Sequence, residues 1–211
     1  KLLLDSYQQK IADARLNIMI MSATGCNFNC SYCYEEYTPK KIDSEFETIF
    51  IKFLKKNIYR YSALFIDWFG GEPLLAKQNI LSIAKKTKII CKENHIPFLS
   101  SITTNGYYLD FETFSGLLAG NVIYFQVTID GNKEWHDRYR PLKNGQGTYD
   151  VVFNNLLSIK KNVSNSKVFR LTIRNNISNE KIGSRYSGAG RFATGQRQKH
   201  QGLCRKIAFR A

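Results

Sequence analysis

Three cysteines within eight residues, Cys26-Asn27-Phe28-Asn29-Cys30-Ser31-Tyr32-Cys33, constrain this chain more than any other stretch of it. The spacing is Cys-x3-Cys-x2-Cys, with an aromatic residue immediately before the third cysteine. Thiolates are soft ligands suited to iron-sulfur chemistry, and three on one tight loop supply ligands for three irons of a cubane cluster. The fourth iron is then left without a protein ligand. A small molecule can bind there and receive an electron, so the pattern argues for catalysis rather than electron storage. A structural zinc site is the competing reading, but such sites are four-coordinate and built from paired short spacings. No second Cys-x2-Cys or His-x3-5-His pair occurs here: Cys91 and Cys204 are isolated, and His95, His136 and His200 are scattered.

At 211 residues the chain has the length of one domain with a sizeable core. No apolar run approaches the roughly 18 residues of a membrane span, and nothing reads as a signal peptide. Five cysteines, three of them clustered, do not resemble a disulfide framework. These features lead us to expect a soluble cytoplasmic protein with no membrane partner. The chain begins at Lys1, which reads as a missing start. Its net charge of +14 invites a nucleic-acid reading, but more than half of that excess lies in eight basic residues between Lys181 and Ala211, a stretch without an acidic residue. That segment is also dense in Gly, Ser and Gln. Residues 178–211 are therefore read as a basic, disordered or aberrant tail following a domain over 1–177, and nucleic acid is not expected as a partner.

The ordered part alternates strand and helix patterns. Leu16 to Ser22 reads as a first strand with the cysteine loop at its C-terminal end. A helix is expected from about Ser44 to Tyr59, with Phe46, Ile49, Phe50, Phe53 and Leu54 at helical spacing and Ser44-x-x-Glu47 as a capping box. Ala63 to Phe69 is the second strand. A second helix face follows, made of Ile80, Ile83, Ala84, Ile90 and Cys91, with Cys91 as a buried small hydrophobe. Pro97 to Thr103 is a third strand, Phe111 to Ala119 a helix, Val122 to Ile129 a fourth strand, Tyr149 to Lys160 a helix and Val168 to Ile173 a fifth strand. Such alternation implies parallel pairing through right-handed crossovers, hence an α/β sheet or barrel with its chemistry at the C-terminal strand ends.

The strand ends agree with that rule. The first is followed by the cysteines, the second by Gly70-Gly71-Glu72-Pro73, the third by Thr104-Asn105-Gly106 and the fourth by Asp130-Gly131. Each alone is an ordinary turn signal. Together with the cysteine motif at the same end, they describe one mouth.

With these residues on the page, the chain resembles the catalytic domain of the peptide-modifying branch of radical S-adenosylmethionine (SAM) enzymes over residues 16 to about 177. That branch includes the anaerobic sulfatase-maturating enzymes and the SPASM-type peptide maturases. The matching stretches are Cys26 to Glu35, Trp68 to Leu74, Thr103 to Gly106, Phe125 to Gly131, His136 to Arg140 and Gly147 to Asp150. The resemblance implies a partial (β/α)6 TIM-like barrel with about five parallel strands present. It also implies that Cys26, Cys30 and Cys33 ligate a 4Fe-4S cluster whose open iron holds the amino and carboxylate groups of SAM. Tyr32 then lies at the adenine-contacting position, and Gly70, Gly71 and Glu72 match the motif that takes up the methionyl amino group. Asn105, Thr128 and Asp130 match strand-end positions facing SAM, and Arg138 and Arg140 are candidates for its carboxylate.

The implied activity is reductive cleavage of SAM to a 5′-deoxyadenosyl radical that takes hydrogen from a peptide or protein substrate, with an external one-electron donor such as flavodoxin or ferredoxin. Relatives of this branch continue into a cysteine-rich C-terminal extension, whereas here only Cys204 lies beyond Cys91. A sixth strand is also not expected, because Leu203 to Phe209 is short and interrupted. The chain therefore reads as truncated at its C-terminus. The alternatives are a non-catalytic fragment of such an enzyme, or a zinc- or nucleic-acid-binding module.

Overall fold

Strand β1, Arg15–Ala23, forms because Leu16, Ile18 and Ile20 alternate with Asn17, Met19 and Met21, so one face is apolar and can be buried. The computed structural model describes residues 14–35, 38–163 and 168–176, and the backbone of 205–208. After β1 come α1 (Ser44–Asn57), β2 (Ala63–Gly70), α2 (Lys77–Glu93), β3 (Phe98–Thr104), α3 (Phe111–Ala119) and β4 (Val122–Thr128). Helices α4 (Lys133–Tyr139) and α5 (Tyr149–Asn162) then lead to β5 (Arg170–Asn175) and β6 (Arg205–Ala208). Short 3-10 turns follow α1 at Ile58–Arg60 and β2 at Pro73–Ala76.

The strands lie in sequential order, β1 to β5 in parallel. Sequential order with crossovers of one hand places the connecting helices on one face and gives an arc of a TIM-like barrel, unlike the reversing order of a doubly wound sheet. Among the described residues the arc buries one side only. Leu64, Ile66, Trp68, Ile102, Phe125 and Val127 point into the helix layer and are at most 2% exposed. On the other face Met19 is 64% and Met21 41% exposed.

Three expectations need correction. Helix α1 is capped by Asp43, whose side chain accepts from the Phe46 N–H at 2.9 Å, one residue before the expected Ser44. Glu47 does not close a capping box; its Oε1 accepts from Ser82 Oγ at 2.6 Å and Lys86 Nζ at 2.5 Å, which ties α1 to α2. Helix α4 was not expected, because seven polar-rich residues carry no apolar period; it is set by Asn132, whose side chain accepts from the Trp135 N–H at 3.1 Å.

Residues 205–208 also pair with β5, antiparallel, where no sixth strand was expected. Such pairing needs only the unpaired main-chain groups of an edge strand, which the side-chain pattern of Arg-Lys-Ile-Ala does not advertise. Apart from that backbone, the tail over 178–211 lies outside the described residues.

The one-sided burial makes a direct prediction for urea unfolding. Ile66, with no exposure, should cost about 2–5 kcal/mol when cut to Ala. Met19→Ala on the open face should stay within about 0.5 kcal/mol. Equal losses would show that the open face is packed in solution.

Candidate functional site

The C-terminal ends of β1 and β2 meet through main chain alone. The Gly71 N–H donates to Ala23 O and the Glu72 N–H to Gly25 O, both at 2.9 Å. This approach excludes side chains. A Cβ on Gly70, whose φ is +135°, would lie 2.1 Å from Ala23 O, and one on Gly71 would lie 2.5 Å from Gly25 O. Glycine is needed here because an L residue at Gly70 is strained as well as crowded. The bareness expected to face a ligand is thus already used to let the cysteine loop dock on β2.

Glu72 follows and is fully buried. Its Oε1 accepts from the Leu74 N–H at 2.9 Å and Thr104 Oγ1 at 2.7 Å, and its Oε2 from the Asn105 N–H at 2.7 Å. The carboxylate therefore caps the 3-10 turn and grips the end of β3. Burial pushes its pKa up, against the opposing pull of these donors and of Arg140. Asn105 turns to the cysteine loop: its Nδ2 lies 2.8 Å from Asn27 Oδ1 and 3.7 Å from Cys26 Sγ.

The cysteine loop is backed by a segment more than a hundred residues later. Asn29 N–H donates to Pro141 O at 2.8 Å, Ser31 N–H to Tyr139 O at 3.1 Å and Lys143 N–H to Asn27 O at 3.2 Å. Phe28 and Leu142 form the antiparallel bridge between the two. Phe28 has no exposure and lies under the Arg140 guanidinium, 5.5 Å from ring centroid to Cζ.

Arg140, 6% exposed, donates from Nη1 to the Tyr32 hydroxyl at 2.6 Å. That hydroxyl donates in turn to Asp130 Oδ2 and accepts from Asn176 Nδ2 at 3.1 Å. Asp130 Oδ1 accepts from the Asn176 N–H at 2.7 Å, which brings in the end of β5. The Tyr32 residue remains 42% exposed. Thr128 is buried at the end of β4. Arg138 is placed differently from Arg140: it is exposed on α4, with its guanidinium over the rings of Trp135 and Tyr139.

The thiols are close enough to act on one another's ionisation. Burial raises Cys30 to about 11, with Arg140 pulling it down and Cys26 and Cys33 pushing it up. Burial likewise raises Cys26, which accepts at Sγ from the Phe28 N–H at 3.4 Å. Among the described residues, no three His, Cys, Asp or Glu gather about a single metal ion. A cubane asks for something else, one thiolate on each of three irons. The donors at Cys26 Sγ and the cation beside Cys30 suit sulfur carrying negative charge. Two donors in the same neighbourhood, Asn27 Nδ2 and Arg140 Nε, are buried without a partner. A polar or anionic group bound at this mouth would satisfy them, so the residues fit a cluster with an acidic ligand.

Several supporting residues were not singled out from sequence. Asn27, Phe28 and Asn176 carry no motif of their own. His136 and Thr148 lie within stretches that matched the family pattern and were given no role. His136 is fully buried, its Nδ1 accepting from the Asp130 N–H at 3.2 Å and its Nε2 lying 3.1 Å from Thr148 Oγ1. Asp137 Oδ1 caps α5 by accepting from the Thr148 and Tyr149 N–H groups at 2.7 and 2.8 Å.

Glu72→Gln should cost about 1–3 kcal/mol in urea unfolding, because an amide nitrogen cannot accept from either the Asn105 or the Leu74 N–H. With a raised folded pKa, wild-type Glu72 binds its proton more tightly folded than unfolded, so its contribution falls as pH rises from the ordinary carboxylate range through the raised value. The variant should lack that slope, and a variant as stable as wild type would deny the carboxylate its bracing role. Gly71→Val should displace the Gly25 carbonyl and with it the cysteine loop. The Asn29 and Ser31 amides of that loop, which donate to Pro141 O and Tyr139 O, should then exchange faster with solvent; unchanged exchange would show that the loop does not depend on Gly71.

The family model for the Radical SAM superfamily matches residues 20–183. The chain is 25% identical over 131 residues to a serine-type anaerobic sulfatase-maturating enzyme of Klebsiella aerogenes, covering 60% of this chain and 32% of that protein. It is 26% identical over 133 residues to an Fe-coproporphyrin III synthase of Methanosarcina barkeri, covering 62% and 30%. The chain thus spans about a third of the length of these curated relatives. Among solved structures, anSMEcpe with bound AdoMet and Kp18Cys peptide superposes with a TM-score of 0.62 at 23% identity, covering 75% of this chain and 42% of that one. The fold is common to both. With the family pattern running through more than half of its residues, from β1 past β5, the chain belongs to the radical SAM superfamily.

Proposed function

We propose that this chain carries the catalytic domain of a radical SAM enzyme acting on a peptide or protein, with residues 1–177 as that domain and 178–211 as an appended segment of which 205–208 pair with its edge strand. The observation that supports this most is the convergence at one mouth of the cysteine loop, Glu72, Asn105, Asp130 and Arg140, residues from four strand ends and the segment after α4. Cys26, Cys30 and Cys33 would hold a 4Fe-4S cluster and SAM would bind beside it. Together they supply one-electron cleavage of the sulfonium to methionine and a 5′-deoxyadenosyl radical that takes a hydrogen atom from the substrate, which is the general reaction of the family.

The protein's own residues have narrower tasks. The Phe28 N–H and the Asn105 amide donate to the Cys26 sulfur, which eases negative charge there. The Arg140 cation does the same for Cys30. Tyr32 presents a ring to adenine while its hydroxyl is fixed by Arg140, Asp130 and Asn176. Gly70 and Gly71 leave the β2 end without side chains, Glu72 keeps lone-pair capacity on Oε2 for an ammonium, and Asn105, Thr128 and Asp130 border the same space. Arg140 Nε, buried without a partner, is the donor we assign to the SAM carboxylate in preference to the exposed Arg138.

The electron would come from an external flavodoxin or ferredoxin. A cytoplasmic location is part of the same reading; among the described residues no helix is long and apolar enough to cross a membrane.

Anaerobic reconstitution with iron and sulfide tests the assignment. It should give about four irons per chain with broad visible absorption, and under reductant and SAM it should release 5′-deoxyadenosine. Ala at Cys26, Cys30 or Cys33 should abolish the cluster. Cys91→Ala should keep it, since Cys91 is buried in the helix layer. A cluster kept by Cys30→Ala and lost by Cys91→Ala would overturn the ligand set.

A further inference from the structure

The segment Tyr139–Lys143 gives the cysteine loop its main-chain partners, and something must in turn fix that segment. It leaves α4 at Arg140, whose N–H donates to His136 O at 2.8 Å. The Arg140 carbonyl accepts from Thr148 Oγ1 at 2.7 Å. Thr148 itself is fully buried and lies 3.1 Å from His136 Nε2, while His136 Nδ1 faces the Asp130 N–H at 3.2 Å.

The proton assignment follows without a choice. An N–H cannot accept, so Nδ1 is the acceptor and the imidazole proton sits on Nε2. Nε2 then donates to Thr148 Oγ1, and the threonine hydroxyl is free to donate to Arg140 O. Every donor and acceptor in this buried file is matched, so removing one member leaves others unsatisfied, at a cost a solvent-facing contact would not carry.

We infer that His136 and Thr148 are positioning residues for the cysteine loop: they lock the Tyr139–Lys143 segment through Arg140, and that segment holds Cys26, Cys30 and Cys33 in cluster-ready form before any iron arrives. Their influence runs through the Arg140 carbonyl, and then through the Asn29 and Ser31 N–H groups that donate to Pro141 O and Tyr139 O. The inference rests on reading the three cysteines as a cluster loop, but its first arm is independent of that reading.

The test is amide exchange on the iron-free 211-residue chain. In Thr148→Val, which keeps the shape and loses the hydroxyl, Asn29 and Ser31 should exchange about tenfold faster, the scale of one hydrogen bond network opening locally. His136→Phe should do the same by a different route. Thr148→Ser should restore wild-type protection. Amides of β2 and β3 should be unchanged throughout, which a general loss of stability would not allow. Unchanged exchange at Asn29 and Ser31 in both altered chains would overturn the inference, and so would equal acceleration across the whole sheet.

The second arm is iron loading. Thr148→Val should take up fewer irons per chain than wild type and show an altered cluster spectrum, with both recovered in Thr148→Ser. If wild type binds no cluster, the proposed function fails while the exchange arm still decides the positioning role. If wild type loads normally and Thr148→Val loads equally with the same spectrum, the positioning role fails and the function stands.

Discussion

The buried carboxylate of Glu72 is the interaction on which the rest of this mouth depends. An ionisable group with no exposure is costly unless its lone pairs are taken up. Here three donors meet it, from the 3-10 turn after β2 and from the end of β3, and add a side-chain tie to two strands already paired in the sheet. Because Asn105 receives that grip on its backbone and extends its amide to the cysteine loop, Glu72 sets the distance between the loop and the third strand. The glycines before it set the distance to the first. Packing two backbones this closely leaves no slack, so the shape of the mouth is fixed by main chain and one acid, with the other side chains added to a frame already determined.

Much of this was legible in the sequence, for identifiable reasons. Strands and long helices announce themselves by period, and α3 matches its expected bounds, Phe111 to Ala119. The strand-end residues were legible because parallel α/β topology sends every C-terminal strand end to one side. The cysteine loop stood out by spacing, and the structure sets it at the end of β1 among the other strand ends. What stayed hidden depends on pairings without period. Asp43 and Ser44 are both good caps, and only geometry distinguishes them. Arg138 and Arg140 look alike in sequence, yet Arg140 is buried against Phe28 and Arg138 lies in solvent. His136 and Thr148 are twelve residues apart and become partners only because the chain turns back after α4.

The open sheet face follows from the same topology. Among the described residues, crossovers of one hand leave the other side of β1 to β4 without a covering layer, and the side chains there are mixed: Met19 and Met21, Phe65 near Tyr124, and Asp67 bonded to Ser101. This face adjoins the mouth, so whatever lies on it is held beside the strand ends.

The pairing of the cysteine loop with the segment after α4 also has a consequence in time. Tyr32 and Arg140 are 108 residues apart. At synthesis rates of about 5–20 residues per second, the cysteines leave the ribosome roughly 5–20 s before the chain that will brace them. The chemistry-bearing loop is thus among the first parts of the domain to be made and among the last to take its shape. A nascent chain exposes three thiols on an unbraced loop for that interval, and only the finished domain presents them together.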